Sequence, residues 1–587
     1  MKLWIGVIVL SLFSACGSSE TTTPTTPSVS AFYIDSQNGS DTNNGAASST
    51  PWKSFTNLAS TSFPTNTTIY LKRGSTWYEQ LTVPASDFNI DAYGSGVLPA
   101  INGSTEISAW NSLGGSYYSK SVTLTSGDAL GNVTEDGAMM SFVAWNDNYT
   151  TSLSGAANGS FTFDYPNSTI YIKVGSDPAL KTYRASTRLF GINVVGKSNI
   201  SIKNVSISNF SLVGVNFKNC SICSISNSTI SNGGGAVLIN FGTGSNPDYL
   251  YAGNGVEFGN SSTNGTASNL TISKIFDSGL SPQTYSSNQT AGPFTFSDIT
   301  ISECGFAGIE ISVLDNNGTT NSSINTVNMS GITITRSGKG WSGKRYGTEG
   351  YGIRVKADAG AGTISGVSLT RAGISSSINS GIKLAGESDV ISISRSRIYA
   401  NDSHGIEVAE ASATSLRLDL STSLIYANGG SGLNYNSITA AGFNVLHNTF
   451  YGNTTINLAV FNQLGTAKIQ NNIFHGSMDM AHIYVADTLS GATVNNNCYQ
   501  NQSVVDMFAY NGTAYKTVTA FNISTGFEAN GTGAGGIGLS NPDGGVFSIS
   551  VGSSSCDGLG DSTVGITTDY AGNGYANPPA SGAFEAQ

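Results

Sequence analysis

Hydrophobic and polar positions alternate in a short phrase that recurs through residues 191–485. In each copy a small residue is followed by an apolar, a polar and a second apolar residue, as in 381–384 (GIKL) and 405–408 (GIEV). Most successive copies are roughly 20 to 29 residues apart. That spacing is typical of a solenoid, in which one turn cannot bury its own apolar face and is stabilised by the turns stacked on it.

A second alternating segment lies between these phrases, as in 391–398 (ISISRSRI), 443–450 (FNVLHNTF) and 467–474 (AKIQNNIF). Period-two alternation rich in Ile, Val, Thr and Phe, interrupted by Asn and Gly, indicates short strands. Two or three such strands in each turn describe a parallel β-helix. On these phrases the chain resembles the right-handed, pectate-lyase-like β-helix family of exported bacterial proteins. The predicted fold class is an all-β, right-handed single-stranded parallel β-helix with an N-terminal capping helix and a small β insertion.

Composition and charge agree with an all-β solenoid and exclude one class of partner. Charged residues make up 11% of the 587 residues, and 71 residues are Gly. Because a solenoid grows by adding turns, one long monomeric body accounts for this length. The formal net charge of -11 argues against a general nucleic-acid binder, so a polyanion would need a local basic patch.

The first residues predict export. Met1 and Lys2 precede an apolar stretch, 3–13, that is too short to span a bilayer, so residues 1–16 are interpreted as a signal peptide. The stretch ends in LFSAC, which resembles a bacterial lipobox with Cys16 as the lipidated residue. Ordinary signal cleavage is the alternative, because Phe13 is unusual at its position in a lipobox. We expect an outer-membrane lipoprotein at the cell surface or in the periplasm, bound to the membrane only through its lipid, with 17–30 as a flexible Ser/Thr/Pro tether.

Residues 31–108 are predicted to form the N-terminal cap and the first coils. Thr50 as N-cap and Pro51 at the first helical position predict a short helix that covers the open end of the solenoid. This beginning is similar to that of many exported β-helix proteins. In the preceding loop, Asp35 and Asp41 could bind Ca²⁺, although self-bonded Asx turns are favoured.

Three further segments complete the predicted organisation. Residues 109–187 lose the coil phrase and form a β insertion, in which 160–174 (SFTFDYPNSTIYIKV) reads as a hairpin. Residues 188–500 form the β-helix body. The Gly-rich residues 501–587 resemble the closing segment of exported β-helix proteins, although Ala580 and Ser581 replace the usual Asp-Ile.

The cysteines after Cys16 do not predict a disulfide framework. Their number is odd and their spacing wide, so we expect them to be unpaired residues that fill buried coil positions. Cys220 and Cys223 are expected to point to opposite faces of an extended strand, which argues against a metal or redox pair.

The polar position of the recurring phrase predicts a row of outward-facing side chains. Stacked coils would place these residues about 4.8 Å apart. In chain order the row is predicted to contain Asn193, Asn216, Leu238, Glu257, Ser281, Glu310, Arg354, Lys383, Glu407, Asn434, Asn457 and Tyr484. We call Glu310, Arg354, Lys383 and Glu407 the charged row, since they stand out in a chain so poor in charge.

A long basic and aromatic loop precedes the strand of Arg354. It contributes five candidate residues for binding an acidic polysaccharide, Lys344, Arg345, Trp341, Tyr346 and Tyr351. Flat aromatic faces stack on sugar rings, and long loops are frequent sites of binding. The loop is therefore predicted to form the wall of a groove above the charged row.

The family resemblance implies carbohydrate chemistry, and three hypotheses stay open. In a uronate lyase, Arg354 would neutralise the substrate carboxylate, and Lys356 or Lys383 would remove the ring proton. In a glycoside hydrolase, two carboxylates are needed; Glu257 and Glu310, about 9.6 Å apart, lie just beyond the usual range, and Glu310 and Glu407 lie farther apart. The third hypothesis is a non-catalytic surface or adhesion protein, in which the charged row only pairs across strands. The histidines and recurring asparagines are interpreted as turn or ladder residues.

Overall fold

A computed structural model describes residues 30–124, 130–240, 249–315, 318, 320–341, 349–386, 388–409, 416–436, 442–461, 466–476, 480–500, 506–533 and 535–587. It confirms the predicted right-handed parallel β-helix. Two long sheets run along the described coils, and their strands pair in parallel from one coil to the next. We call them sheet 1 and sheet 2.

Sheet 1 has 24 strands in the described residues and supplies the paired short strands of each coil. Its strands are Ala31–Ile34, Thr67–Lys72, Thr76–Trp77, Phe88–Tyr93, Ala100–Asn102, Ser198–Lys203, Ser206–Ser208, Ser221–Gly233, Gly265–Ile275, Thr290–Ala291, Phe294–Ser302, Ser322–Thr335, Gly362–Thr370, Gly373–Ser375, Val390–Ser394, Arg397–Tyr399, Arg417–Ser421, Leu424–Tyr426, Phe443–Leu446, Thr449–Tyr451, Ala467–Gln470, Ile473–His475, Thr493–Asn495 and Cys498–Gln500. The alternating segments of the sequence form this sheet, as their pattern predicts.

Sheet 2 has 14 strands in the described residues and contains the recurring phrase. Its strands are Leu81–Thr82, Phe190–Val195, Val213–Lys218, Asn254–Gly259, Ser278–Thr284, Ala307–Val313, Tyr351–Ala357, Ile382–Gly386, Ile406–Ala409, Leu433–Asn436, Ile456–Phe461, Ala481–Val485, Phe508–Tyr510 and Thr513–Tyr515. The two apolar residues of each phrase point into the core, where Ile382 and Leu384 are fully buried. Glycine opens the phrase because coils approach closely there: a Cβ at Gly352 would lie 2.4 Å from the carbonyl oxygen of Gly381.

Outside the two long sheets, the chain between the first coils and the body folds into small sheets. Their strands are Ser104–Ile107, Val133–Glu135, Ala138–Met139 and Tyr183–Ser186 in one sheet, and Asn111–Gly114, Tyr117–Ser121, Ser141–Phe142, Ser160–Asp164 and Thr169–Lys173 in the other. Ser160–Asp164 and Thr169–Lys173 pair in antiparallel register, so the predicted hairpin is confirmed. A separate hairpin, Ala236–Asn240 with Tyr249–Ala252, leaves the body near its first coils.

Helices are few in the described residues. The α-helices are Tyr149–Leu153 and Val518–Thr525, and the 3-10 helices are Thr56–Leu58, Pro178–Leu180, Pro542–Gly544 and Ser562–Val564. No helix in the described part of the chain has the length and apolar character needed to cross a bilayer. The N-terminal helix predicted from Thr50 is reduced to the single turn Thr56–Leu58. Trp52 is instead paired with the first strand, since its N–H donates to Tyr33 O (2.9 Å) and its carbonyl accepts from Asp35 N (2.8 Å).

The prediction of unpaired cysteines is wrong for four of them. Cys220 pairs with Cys223, and Cys498 pairs with Cys556. Ile222 has a φ of 56°, so the chain turns between Cys220 and Cys223 and the assumption of an extended strand fails there. Cys304 is free and buried, as expected.

Buried asparagines form the ladders that the sequence suggests. Asn448 Nδ2 donates to Asn472 Oδ1 (3.1 Å), and Asn472 Nδ2 donates to Asn497 Oδ1 (2.9 Å). Asn497 Nδ2 then donates to Glu528 Oε1 (2.6 Å), so a buried carboxyl group ends the ladder. Each amide also binds backbone carbonyls, which satisfies polar groups that would otherwise be costly to bury.

Candidate functional site

Sheet 2 brings the predicted row together in register. Glu310 lies beside Arg354, Arg354 beside Lys383, and Lys383 beside Glu407. Asn193, Asn216 and Glu257 continue the row toward the N-terminal end, and Asn434 continues it toward the C-terminal end. Two residues were assigned wrongly: the strand of Leu238 belongs to the separate hairpin, and Ala459 takes the place expected for Asn457. At both points the chain uses more residues to complete one coil than the spacing of the recurring phrase predicts.

The charged row is not the exposed groove floor that the sequence suggested. Arg354 Nη1 lies 2.8 Å from Glu310 Oε1, and their side chains are 15% and 9% exposed. Lys383 Nζ lies 3.2 Å from Glu407 Oε1, with exposures of 23% and 17%. The four side chains therefore neutralise each other in pairs across neighbouring strands, which is the structural interpretation of the row.

The two lysines proposed as bases, Lys356 and Lys383, also form ion pairs. Burial alone would lower the pKa of Lys383, but the charges and hydrogen bonds of Glu407 and Tyr351 outweigh it and raise that pKa. A lysine base would need the opposite direction. Lys356 Nζ forms an ion pair with Asp358 at 2.9 Å. The geometry of these lysines does not favour proton abstraction.

The predicted loop residues divide into two groups. Lys344, Arg345 and Tyr346 lie outside the described residues. Trp341 Nε1 donates to Gly233 O at 3.3 Å, and its ring packs on Phe276, so it joins the loop to the body. Tyr351 is 4% exposed and packs against Phe306. Tyr351 is therefore too buried to stack on a sugar.

A cavity opens farther toward the N-terminal end of the row. Its volume is about 550 Å³. Aromatic and aliphatic side chains form its walls, and amides, one lysine and three carboxyl groups point to it: Phe190, Leu212, Val213, Asn216, Lys218, Tyr251, Ala252, Gly253, Asn254, Glu257, Asp277, Gln283, Tyr285, Phe306, Glu310 and Leu314. A pocket of this size and mixed lining is typical of a site for a small ligand or a short polymer segment.

Glu257 is a buried carboxyl group of the cavity. It is 6% exposed, and Asn254 Nδ2 (3.0 Å) and Tyr285 Oη (3.3 Å) donate to its two oxygens. Burial raises the pKa of Glu257 above its ordinary value, although hydrogen bonds from Asn254, Gln283 and Tyr285 and the charge of Lys218 oppose the shift. A carboxyl group of this kind retains its proton to higher pH and can act as an acid.

Glu310 faces the same cavity in a different electrostatic environment. Besides Arg354, Ser312 Oγ (2.8 Å) and Ser278 Oγ (3.3 Å) donate to its oxygens. Ser278 N donates to Asn254 Oδ1 at 3.3 Å, so Asn254 and Ser278 link the two glutamates. One strand, that of Ser281, separates Glu257 from Glu310, which places their Cα atoms roughly 9.6 Å apart. The buried Ser281 hydroxyl has no hydrogen-bond partner among the described residues.

The fold is similar to that of solved structures. They include XylC with xylose (13% identity, 82% of this chain and 86% of that chain, TM-score 0.50), GH136 lacto-N-biosidase from Eubacterium ramulus (12%, 82% and 67%, 0.37) and pectate lyase Pel9A (14%, 96% and 98%, 0.38). The likeness to XylC shows the fold. No protein-family model and no curated protein matches the chain.

Sequence reasoning found Glu257 and Glu310 but missed the residues that surround them. Asn254, Asp277, Tyr285 and Phe306 lie in turns or outside the polar position of the phrase, so the row does not predict them. One signal was available: the step from Asn216 to Glu257 is nearly twice the step from Asn193 to Asn216. A long coil of this kind marks an insertion, and its hairpin supplies Tyr251 and Ala252 to the cavity.

Metal and histidine chemistry have no comparable site in the described residues. No group of three or more His, Cys, Asp or Glu side chains there is arranged to hold a metal ion. Asp35 accepts the N–H groups of Gln37 and Asn38, which is the Asx turn that the sequence favoured there. Three histidines each form a hydrogen bond with an asparagine of a neighbouring coil, His404 with Asn434, His447 with Asn471 and His482 with Asn457.

Proposed function

We propose that the protein binds an oligosaccharide in this cavity and hydrolyses a glycosidic bond, with Glu257 as general acid and Glu310 as general base. The observation that carries the proposal is the pair itself. Burial raises the pKa of Glu257. Glu310 lies two strands from Glu257 and forms an ion pair with Arg354. Two carboxyl groups in such different environments divide acid and base roles between them.

The cavity walls support a sugar as ligand. Lys218 lies 5.0 Å from the centre of the Tyr285 ring, and Arg354 lies 5.1 Å from that of Phe306, so both rings are held in place at the cavity. Tyr285 is partly exposed and offers a ring face to a pyranose, Phe306 closes the cavity wall, and Asn216 and Gln283 offer amides to hydroxyl groups. The structure of the similar protein XylC contains xylose. Because three carboxyl groups line the cavity, we expect a neutral sugar to bind there rather than a uronate.

The spacing of the glutamates favours inversion at the reacting carbon. Glu257 would donate its proton to the glycosidic oxygen as the bond to the leaving sugar breaks. On the opposite face, Glu310 would take a proton from a water molecule whose oxygen forms the new bond. Inverting enzymes hold their carboxyl groups about 6.5–9.5 Å apart to leave room for that water. The Cα atoms of Glu257 and Glu310 are roughly 9.6 Å apart, and Asn254 and Ser278 stand between the two side chains, so the carboxyl groups are not in contact and a water has room between them.

Hydrolysis is favoured over the β-elimination suggested by the charged row. Elimination needs a lysine free to act as base, whereas Lys356 and Lys383 each form an ion pair with a carboxylate within 3.2 Å. Export through residues 1–16, with lipid attachment at Cys16, stays a prediction. It would place the cavity where polysaccharides are available.

The nature of the product tests the proposal. We expect incubation with neutral and uronate-containing oligosaccharides to yield new reducing ends from a neutral substrate, without the ultraviolet absorbance of an unsaturated uronate. Reducing-end chemistry and absorbance are measured on the same samples. An unsaturated product would refute hydrolysis in favour of a lyase. Absence of both cleavage and saccharide binding would refute the proposal as a whole.

A further inference from the structure

Three arginines meet on sheet 1, on a different sheet from the cavity. Arg371 and Arg395 occupy equivalent turn positions in consecutive coils, since Thr370 pairs with Ser394. Arg397 follows in the next short strand. Together with Ala372, Gly373 and Tyr570, they line a second cavity of about 380 Å³.

The second cavity exists because a glycine faces one of the arginines. Gly373 pairs directly with Arg397 across the two coils. A Cβ built on Gly373 would meet no atom within 4 Å, so the space beside the guanidinium is open. In the next coil the same position is occupied by Leu424, which has a side chain to fill it.

The cavity is cationic without acidic residues in its lining. No ion pair in the described residues involves Arg371, Arg395 or Arg397, and Arg397 Nε is buried there without a hydrogen-bond partner. This is unusual in a protein whose formal net charge is -11. Three guanidinium groups repel one another, and an anion between them would remove that repulsion.

The C-terminal segment holds two of the arginines in place. Arg395 Nε donates to Tyr570 O at 3.2 Å, and the Arg397 guanidinium lies 5.6 Å from the centre of the Tyr570 ring. Gly572 leaves room for Arg395, because a Cβ there would lie 2.8 Å from its Nη2. Arg371 is held separately, by its Nη2 donating to Ser330 Oγ at 2.6 Å. The remaining N–H groups are thus positioned before any ligand arrives.

We propose that this pocket binds an oxyanion, a carboxylate or a sulfate group. Both are compact negative groups, and their oxygens accept hydrogen bonds from several guanidinium N–H groups at once. The inference stands apart from the proposed hydrolysis, since it uses a different sheet and different residues.

Calorimetric titration of the full chain at low ionic strength tests this site with two probes, inorganic sulfate and glucuronate. We expect at least one probe to bind, and Arg397→Gln to weaken it about tenfold or more, because each lost bond to a charged group has an effect of that order. Gly373→Val should weaken binding as much by filling the open space while leaving all three arginines. Arg417→Gln is the matched control, since Arg417 lies on sheet 1 in an ion pair with Asp419 at 3.0 Å.

Thermal melting of each variant checks that it is folded. Preference for sulfate would indicate a sulfate ester as the natural group, and preference for glucuronate a carboxylate; both support the proposal. Binding of neither probe would overturn it. So would equal weakening by Arg417→Gln, or unchanged binding in both folded variants, because the effect would then not arise in this pocket.

Discussion

Glycosidic bond cleavage is expected to slow about a hundredfold or more in Glu257→Gln, because general acid catalysis contributes on that order. The amide keeps the shape of the side chain but has no proton to donate at the needed acidity. We expect kcat to fall much more than KM changes. The wild-type rate should also fall as pH rises through the pKa of Glu257, since the acid form is lost, and the variant should lose this dependence.

Glu407→Gln provides the matched control. Glu407 lies in the same row and is also partly buried, but it pairs with Lys383 and does not line the cavity. Its replacement, or that of Lys383 by Met, should leave the rate within a few-fold of the wild type. Steady-state kinetics across pH compares Glu257→Gln, Glu407→Gln and Lys383→Met with the wild type. If the rate is kept in Glu257→Gln but lost when Glu407 or Lys383 is replaced, the active site lies at the charged row and the proposal is contradicted.

Relative to Glu528→Gln, the wild type is expected to lose unfolding stability as pH rises from mild acid to neutral, because of the Glu528 carboxyl group. This carboxyl group is 2% exposed at the end of the asparagine ladder, and Tyr499 Oη (2.6 Å) and Asn497 Nδ2 (2.6 Å) donate to it. Burial raises the pKa of Glu528 from 4.5 to about 7, against the effect of these hydrogen bonds.

The sign of the pH effect follows from that pKa. The folded chain keeps the proton of Glu528 to higher pH than the unfolded chain, so the stabilisation is fully present below 4.5 and is lost as pH rises to about 7. The difference amounts to about 3 kcal/mol of unfolding free energy. Glu528→Gln should remove this part of the slope and be the more stable form at about pH 8. Urea unfolding of both proteins at several pH values measures it, and parallel slopes would contradict the assignment.

The repeating fold was predictable because its information is local and periodic. The phrase that contains Ile382 and Leu384 specifies the buried positions, and its spacing specifies the stacking, so the register of Arg354 with Lys383 follows from the sequence. The N-terminal helix was not predictable from Thr50 and Pro51. Pairing of Trp52 with the first strand overrides their local preference.

The site was predictable only in part, because its character depends on partners far apart in the chain. The position of Glu257 and Glu310 in the row followed from the repeat. Whether a charged residue is free or paired did not, and the pairing of Lys383 with Glu407 excludes the role that its chemistry suggested. Tyr251 enters the cavity from an inserted hairpin, which no periodic pattern places.

The crystal structure of Glu257→Gln with the oligosaccharide that the wild type cleaves tests the central claim most directly. We predict a glycosidic oxygen beside residue 257, with Glu310 on the opposite face of the sugar ring and a sugar against the Tyr285 ring. A saccharide bound over Arg354 and Lys383, with the cavity empty, would contradict the account.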